Sequence, residues 1–218
     1  MNYVISTARE NVDEYGRIVF QLEEAYSEYF LRFGCVLHVI ASPKALDLFE
    51  RIIPSAILLT GGGSVPPEYY NEYKIESKQQ SRRNMIERQL IAYAFEHGIP
   101  IIGICRGMQM INGFLGGKLR TNNNSTHPTG KEHIVHIIGD NSSTIVNSFH
   151  NDIIENNSLP TPLEVIATDE DNLHVEAFKG VKHKVLGLQW HPERLLDGSI
   201  GKKVSDRLIG QFLKDNTT

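Results

Sequence analysis

The run Pro100-Ile101-Ile102-Gly103-Ile104-Cys105-Arg106-Gly107-Met108-Gln109 constrains this chain more than any other stretch. Its first half is apolar and β-branched, which predicts a buried strand. Its continuation, Met108-Gln109-Met110-Ile111-Asn112-Gly113-Phe114-Leu115, predicts the start of a helix. Between them stands Gly-x-Cys-x-Gly, the nucleophile-elbow pattern with cysteine in the place of serine. Glycines two residues either side of Cys105 permit a sharp turn and leave room around the thiol. The turn sets the thiol at a helix N-terminus, where the dipole and free N–H groups favour a thiolate. A buried structural cysteine at a strand end is the other reading.

A thiolate mechanism needs a base, and the base needs a group to orient it. Val185-Leu186-Gly187-Leu188-Gln189-Trp190-His191-Pro192-Glu193 offers both. A second apolar strand ends in a polar turn carrying His191. Pro192 restricts the backbone, and Glu193 follows close enough to accept from the imidazole.

Gly-Ile-Cys-Arg-Gly-Met-Gln together with Gly-Leu-Gln-Trp-His-Pro-Glu resembles the class I glutamine amidotransferase superfamily. The nearer resemblance is to its γ-glutamyl hydrolase branch, peptidase C26, which includes γ-glutamyl-γ-aminobutyrate hydrolase. Leu58-Leu59-Thr60-Gly61-Gly62-Gly63 with Pro67 and Tyr70, Arg83-Asn84-Met85-Ile86-Glu87, Gly116-Gly117-Lys118-Leu119, Val146-Asn147-Ser148-Phe149-His150 and Val175-Glu176-Ala177-Phe178 carry it further. It extends from about Ala56 to Glu193. The resemblance implies a flavodoxin-like, doubly wound α/β sheet with a small accessory antiparallel sheet, in one domain over residues 1–218. It implies Cys105, His191 and Glu193 as catalytic residues. It implies an oxyanion hole from the backbone of Gly62 or Gly63 and of Arg106. Substrate contacts follow at Arg83, Gln109, Ser148, Phe149 and His150. The implied reaction is release of glutamate from a γ-glutamyl amide through a thioester, without a cofactor. A glutaminase subunit passing ammonia to a separate synthetase is the alternative.

The chain of 218 residues is long enough for a sizeable α/β core. A formal charge of −4 with no basic face disfavours nucleic acid. Two cysteines and no secretion-signal pattern lead to the expectation of a reducing, cytoplasmic setting. No apolar run reaches the length of a bilayer span, so no membrane partner is expected. A homodimer is an expectation from related proteins alone.

Along the chain, strands are predicted at Tyr3–Thr7, Val36–Ile40 (buried) and Ala56–Leu59, and a helix over residues 20–33 with Leu22, Ala25, Tyr26, Tyr29, Phe30 and Phe33 inward. A short helix should follow Pro43, with Ala45, Leu48, Phe49 and Ile52 inward. Asn84 is a candidate N-cap, with Glu87 reaching back, for a helix ending at Gly98. Lys74, Lys78, Arg82 and Arg83 form a solvated face or a rim for an anionic substrate group. His127, His133 and His136 invite a metal reading, but no cysteine or carboxylate cluster joins them in sequence and none is expected. A last helix is expected over residues 199–213, with Ile200, Val204, Leu208 and Phe212 four apart. The leaving amine is open: it could be neutral, or carry a phosphate or nucleotide.

Overall fold

The computed structural model describes residues 2–48, 53–72, 74, 80–121 and 130–217. Four apolar strands make its centre: β1 (Asn2–Ser6), β5 (Ala56–Leu59), β6 (Ile101–Ile104) and β13 (Val185–Leu188). They run parallel, with β4 (Cys35–Val39) outside β1. Alternate residues face opposite ways on a strand. Ile5, Ile57, Leu59 and Ile101 therefore enter one core, and Val4, Leu58, Ile102 and Ile104 the other.

Helices cover both faces. On one lie α2 (Ser81–His97) and α3 (Arg106–Phe114), through Leu90, Ile91 and Ile111. On the other lie α1 (Glu24–Leu31) and α4 (Ile200–Asn216), through Tyr26, Phe30, Ile209 and Leu213. Such three-layer sheets place ligands beyond the carboxyl ends of their strands. The expected doubly wound α/β class is what the chain adopts.

Several local expectations are corrected. The antiparallel strands β8 (Lys131–Ile137), β9 (Ser142–Ser148), β11 (Leu163–Asp169) and β12 (Val175–Gly180) do not stand apart. They extend the central sheet in the order β4-β1-β5-β6-β13-β12-β11-β8-β9. The two separate small sheets are β7 (Arg120–Thr121) with β10 (Asp152–Ile153), and the hairpin of β2 (Arg9–Val12) and β3 (Ile18–Gln21). That hairpin takes the first turn of the expected helix over 20–33. The edge strand β4 is exposed towards its end rather than buried. Pro43–Leu48 is a 3₁₀ turn, and Phe49 and Ile52 lie outside the described residues. Helix α2 starts at Ser81, so Asn84 sits inside it rather than capping it. Helix α4 buries Ser205, Ile209 and Leu213 most deeply, with Val204, Leu208 and Phe212 of the expected stripe packed beside them; Ile200 is 67% exposed. Polar anchors set that face: Trp190 Nε1 donates to Ser205 Oγ at 2.9 Å, and Lys202 Nζ to the Pro192 carbonyl at 2.9 Å.

Candidate active site

Strand β6 delivers Cys105 as the cap of α3, at φ 52° and ψ −107°. Positive φ on a non-glycine residue is costly and marks a turn over-determined by its surroundings. Close packing explains the flanking glycines. A Cβ on Gly107 would stand 2.1 Å from the Leu59 carbonyl oxygen, and one on Gly103 would stand 2.6 Å from the Gly107 carbonyl carbon. Only glycine lets β5, β6 and α3 approach so closely.

The end of β13 brings His191 to the same edge, close enough to Cys105 for the two side chains to interact electrostatically. Its Nδ1 lies 2.6 Å from Glu193 Oε1 and 3.4 Å from the Tyr26 hydroxyl. The carboxylate therefore fixes Nδ1 as the donor, which leaves Nε2 for the proton exchanged with substrate. Asn147 clamps the backbone on both sides: its Oδ1 accepts from His191 N, and its Nδ2 donates to His191 O, both at 2.8 Å. Burial works against the imidazolium, yet the Cys105 sulfur and Glu193 carboxylate outweigh it and raise His191 to about 9. Burial foremost, then the Glu193 charge, push Tyr26 well above the ordinary phenol range, so it stays a neutral hydroxyl.

Loop Thr60–Gly63 follows β5. Gly61 N donates to the Tyr26 hydroxyl at 2.9 Å, and a Cβ on Gly61 would stand 2.5 Å from His191 Cε1. Gly62 and Gly63 take φ of 83° and 81°. The Arg9 guanidinium crowds Gly62, and the Gln80 side chain crowds Gly63.

Arg83 is corrected as a substrate contact. Its guanidinium is buried and donates to the carbonyls of Thr60, Gly61 and Gly62 at 2.5, 3.1 and 2.7 Å. Arg83 Nε also meets Glu87 Oε1 at 2.8 Å. The other Glu87 oxygen takes Arg106, whose guanidinium also reaches Asn84 Oδ1. Thr7 Oγ1 donates to Glu87 at 2.9 Å. Burial would raise the Glu87 acid, but Arg106 and Arg83 hold it below the usual carboxylate range. These bonds brace the glycine loop and the first turn of α3 from behind.

On the other flank, Gln109 Nε2 donates to the Asp152 carbonyl at 3.1 Å and to Gln189 Oε1 at 3.2 Å. His150 Nδ1 meets the same carbonyl at 3.2 Å. Ser148 is buried; Phe149 is half-exposed, edge-on to His191 with centroids 5.7 Å apart and Arg194 over its ring. Of the expected rim, Lys74 lies over the Tyr70 ring and bonds Thr121, Arg82 is exposed, and Lys78 is outside the described residues. His136 turns to Ser143 and Glu170, and His127 is also outside the described residues.

Tyr26, the bracing roles of Glu87 and Thr7, and the clamp of Asn147 are not evident from the sequence. Asn147 lies in one of the motifs that carry the resemblance, and Tyr26 in a helical stripe that reads equally well as core.

The peptidase C26 family model matches residues 5–193. A glutamine amidotransferase-like protein of Lactococcus lactis is 35% identical over 191 residues, 78% of this chain and 79% of that protein. The γ-glutamyl-CDP-amidate hydrolase of Campylobacter jejuni is 32% identical over 146 residues, 67% of this chain and 66% of that one. A solved structure of a glutamine amidotransferase from Thermotoga maritima matches the fold with a TM-score of 0.60. It is 22% identical and aligns over 98% of this chain and 84% of its own.

Proposed function

Since this chain belongs to the peptidase C26 family of glutamine amidotransferase-like proteins, we propose that it hydrolyses a γ-glutamyl amide through a thioester on Cys105. The observation that carries this reading is the Cys105–His191–Glu193 array, with the imidazole raised to about 9 between sulfur and carboxylate. At neutral pH that keeps the imidazole protonated, ready to donate. The thiolate adds to the γ-carbonyl. The N–H of Arg106, at the first turn of α3, and that of Gly62 or Gly63 receive the oxyanion. Collapse breaks the C–N bond as His191 gives its proton to the departing amine. Water then attacks the thioester, His191 takes a proton from it, and glutamate leaves as the thiol is restored.

The γ-glutamyl group is supported by the name of the Campylobacter relative and by the flank of Gln109, Ser148 and Phe149 beside the array. The amide-hydrolase class rests on the family; the γ-glutamyl substrate is our reading. Likeness to an amidotransferase-like protein supports a second reading, a glutaminase subunit serving a separate synthetase. That form would release ammonia from glutamine slowly alone and faster with its partner.

A panel of γ-glutamyl amides with neutral, phosphate-bearing and nucleotide-bearing amines, scored for released glutamate, tests the proposal. We expect turnover of at least one, and a loss of about 10³-fold or more in Cys105→Ala. Wild-type rates in that variant would overturn the mechanism. No release from any N-substituted γ-glutamyl amide, with ammonia freed from glutamine, would favour the second reading.

A further inference from the structure

Three side chains that take no part in the proton transfers converge beside the site. His133 comes from β8, Glu176 from β12, and His150 from the turn between β9 and β10. One ligand atom from each lies within 4.8 Å of the other two. His133 Nε2 stands 3.3 Å from Glu176 Oε2. The two imidazoles meet edge to face, with centroids 6.2 Å apart. Glu176 is 1% exposed and His150 5%.

We propose that His133, His150 and Glu176 form a binding site for a zinc-class divalent transition-metal ion. Two imidazoles and one carboxylate are a donor set that zinc takes, with a fourth position left for water or another ligand. Imidazole donors select Zn, Co, Ni or Cu over the oxygen-seeking Mg and Ca. Donors bound tetrahedrally at about 2.0–2.2 Å lie about 3.4 Å from one another. The carboxylate–His133 pair already stands at that separation, and side-chain movements of up to about 1.4 Å close the rest. The orientation of His150 fits as well. Its Nδ1 faces the Asp152 carbonyl, which fixes the proton there and leaves Nε2 a lone-pair donor.

The place gives the ion a consequence. The Asp152 carbonyl that orients His150 also accepts from Gln109, one helical turn from Cys105. Asn147, at the other end of the same turn, holds the His191 backbone. An ion tying β8, β12 and this turn together would stiffen the wall that carries His191. The inference stands on this cluster alone and does not depend on the proposed substrate.

The test uses the full chain as Cys105→Ala, which removes the competing thiol, stripped with a chelator and dialysed against Zn²⁺ or Co²⁺. We expect one ion per chain, and with Co²⁺ the visible absorption of a four-coordinate nitrogen–oxygen site. Glu176→Gln and His133→Gln should each weaken binding about 100-fold, while His136→Gln leaves it unchanged. Near-UV circular dichroism checks that each variant is folded, and the Co²⁺ spectrum of the intact cluster decides the matter should one not fold. Absence of stoichiometric binding, or binding that both cluster substitutions leave untouched, would overturn the proposal.

Discussion

The two walls of the site are built by different physics. The thiol wall is held by charge: Glu87 lies between Arg83 and Arg106, all three buried, and their remaining donors grip the glycine loop. The imidazole wall is held mostly by neutral bonds: Asn147 on the His191 backbone, Tyr26 beside its ring, Trp190 on Ser205. A buried ion network is intolerant of losing one member, because the survivors stay charged and desolvated. Neutral hydrogen bonds lose one partner at smaller cost. Damage to the first wall should therefore read out as unfolding, and damage to the second as misplaced chemistry.

The largest expected effect is on chemistry. His191→Gln should lower the rate of glutamate release about 10²–10⁴-fold, the range of a lost proton-transfer group, measured on the folded fraction. Next comes Glu87→Gln, which keeps the shape and leaves two buried guanidinium groups uncompensated. It should cost about 3–5 kcal/mol in urea unfolding. If instead it lowered turnover at full stability, the contrast between the walls would fail.

Asn147→Ala should stay folded but lower kcat about 100-fold, as a displacement near 1 Å can, with little change in KM. Tyr26→Phe should be mildest, destabilising by about 1 kcal/mol through the orphaned Gly61 N–H, read by thermal unfolding and a small drop in kcat.

The walls should also separate by pH. Glu87 titrates below the usual carboxylate range, so its contribution is present above the unfolded-state value and is lost as acid carries the pH through the lowered one. His191 is raised, so its contribution is complete below the unfolded imidazole value and fades as pH rises through about 9. In the proposed mechanism kcat/KM should fall over that same alkaline limb, since the neutral imidazole cannot protonate the amine. A rate that stays level beyond about pH 10, a unit above the raised imidazole, would break the link.

Much of this was legible in the chain because it is local. The elbow around Cys105, the glycine loop after β5 and the turn carrying His191 and Glu193 are each contiguous strand-to-turn signals. Their arrival at one edge follows from a doubly wound sheet. What stayed hidden depends on partners distant in sequence. Arg83 reads as a rim cation until the loop carbonyls are seen to fold over it. Asn84 reads as a cap because its true partner, Arg106, arrives two elements later. The β2–β3 hairpin is short, and the charged Glu10 on it is nonetheless buried, accepting from Arg83 N at 3.0 Å. The most deeply buried face of α4 lies one residue along from its apolar stripe, which packs beside it, because polar anchors, which such a stripe does not reveal, turn the helix.

The most direct measurement is site-resolved mass spectrometry of the protein quenched during turnover of a slow γ-glutamyl amide. The chain has two cysteines, and burial pushes the Cys35 thiol above its ordinary range. The account predicts a γ-glutamyl adduct on the peptide containing Cys105 and none on the peptide containing Cys35. Glutamate released at full rate with no adduct on Cys105, or with the adduct on Cys35, would contradict it.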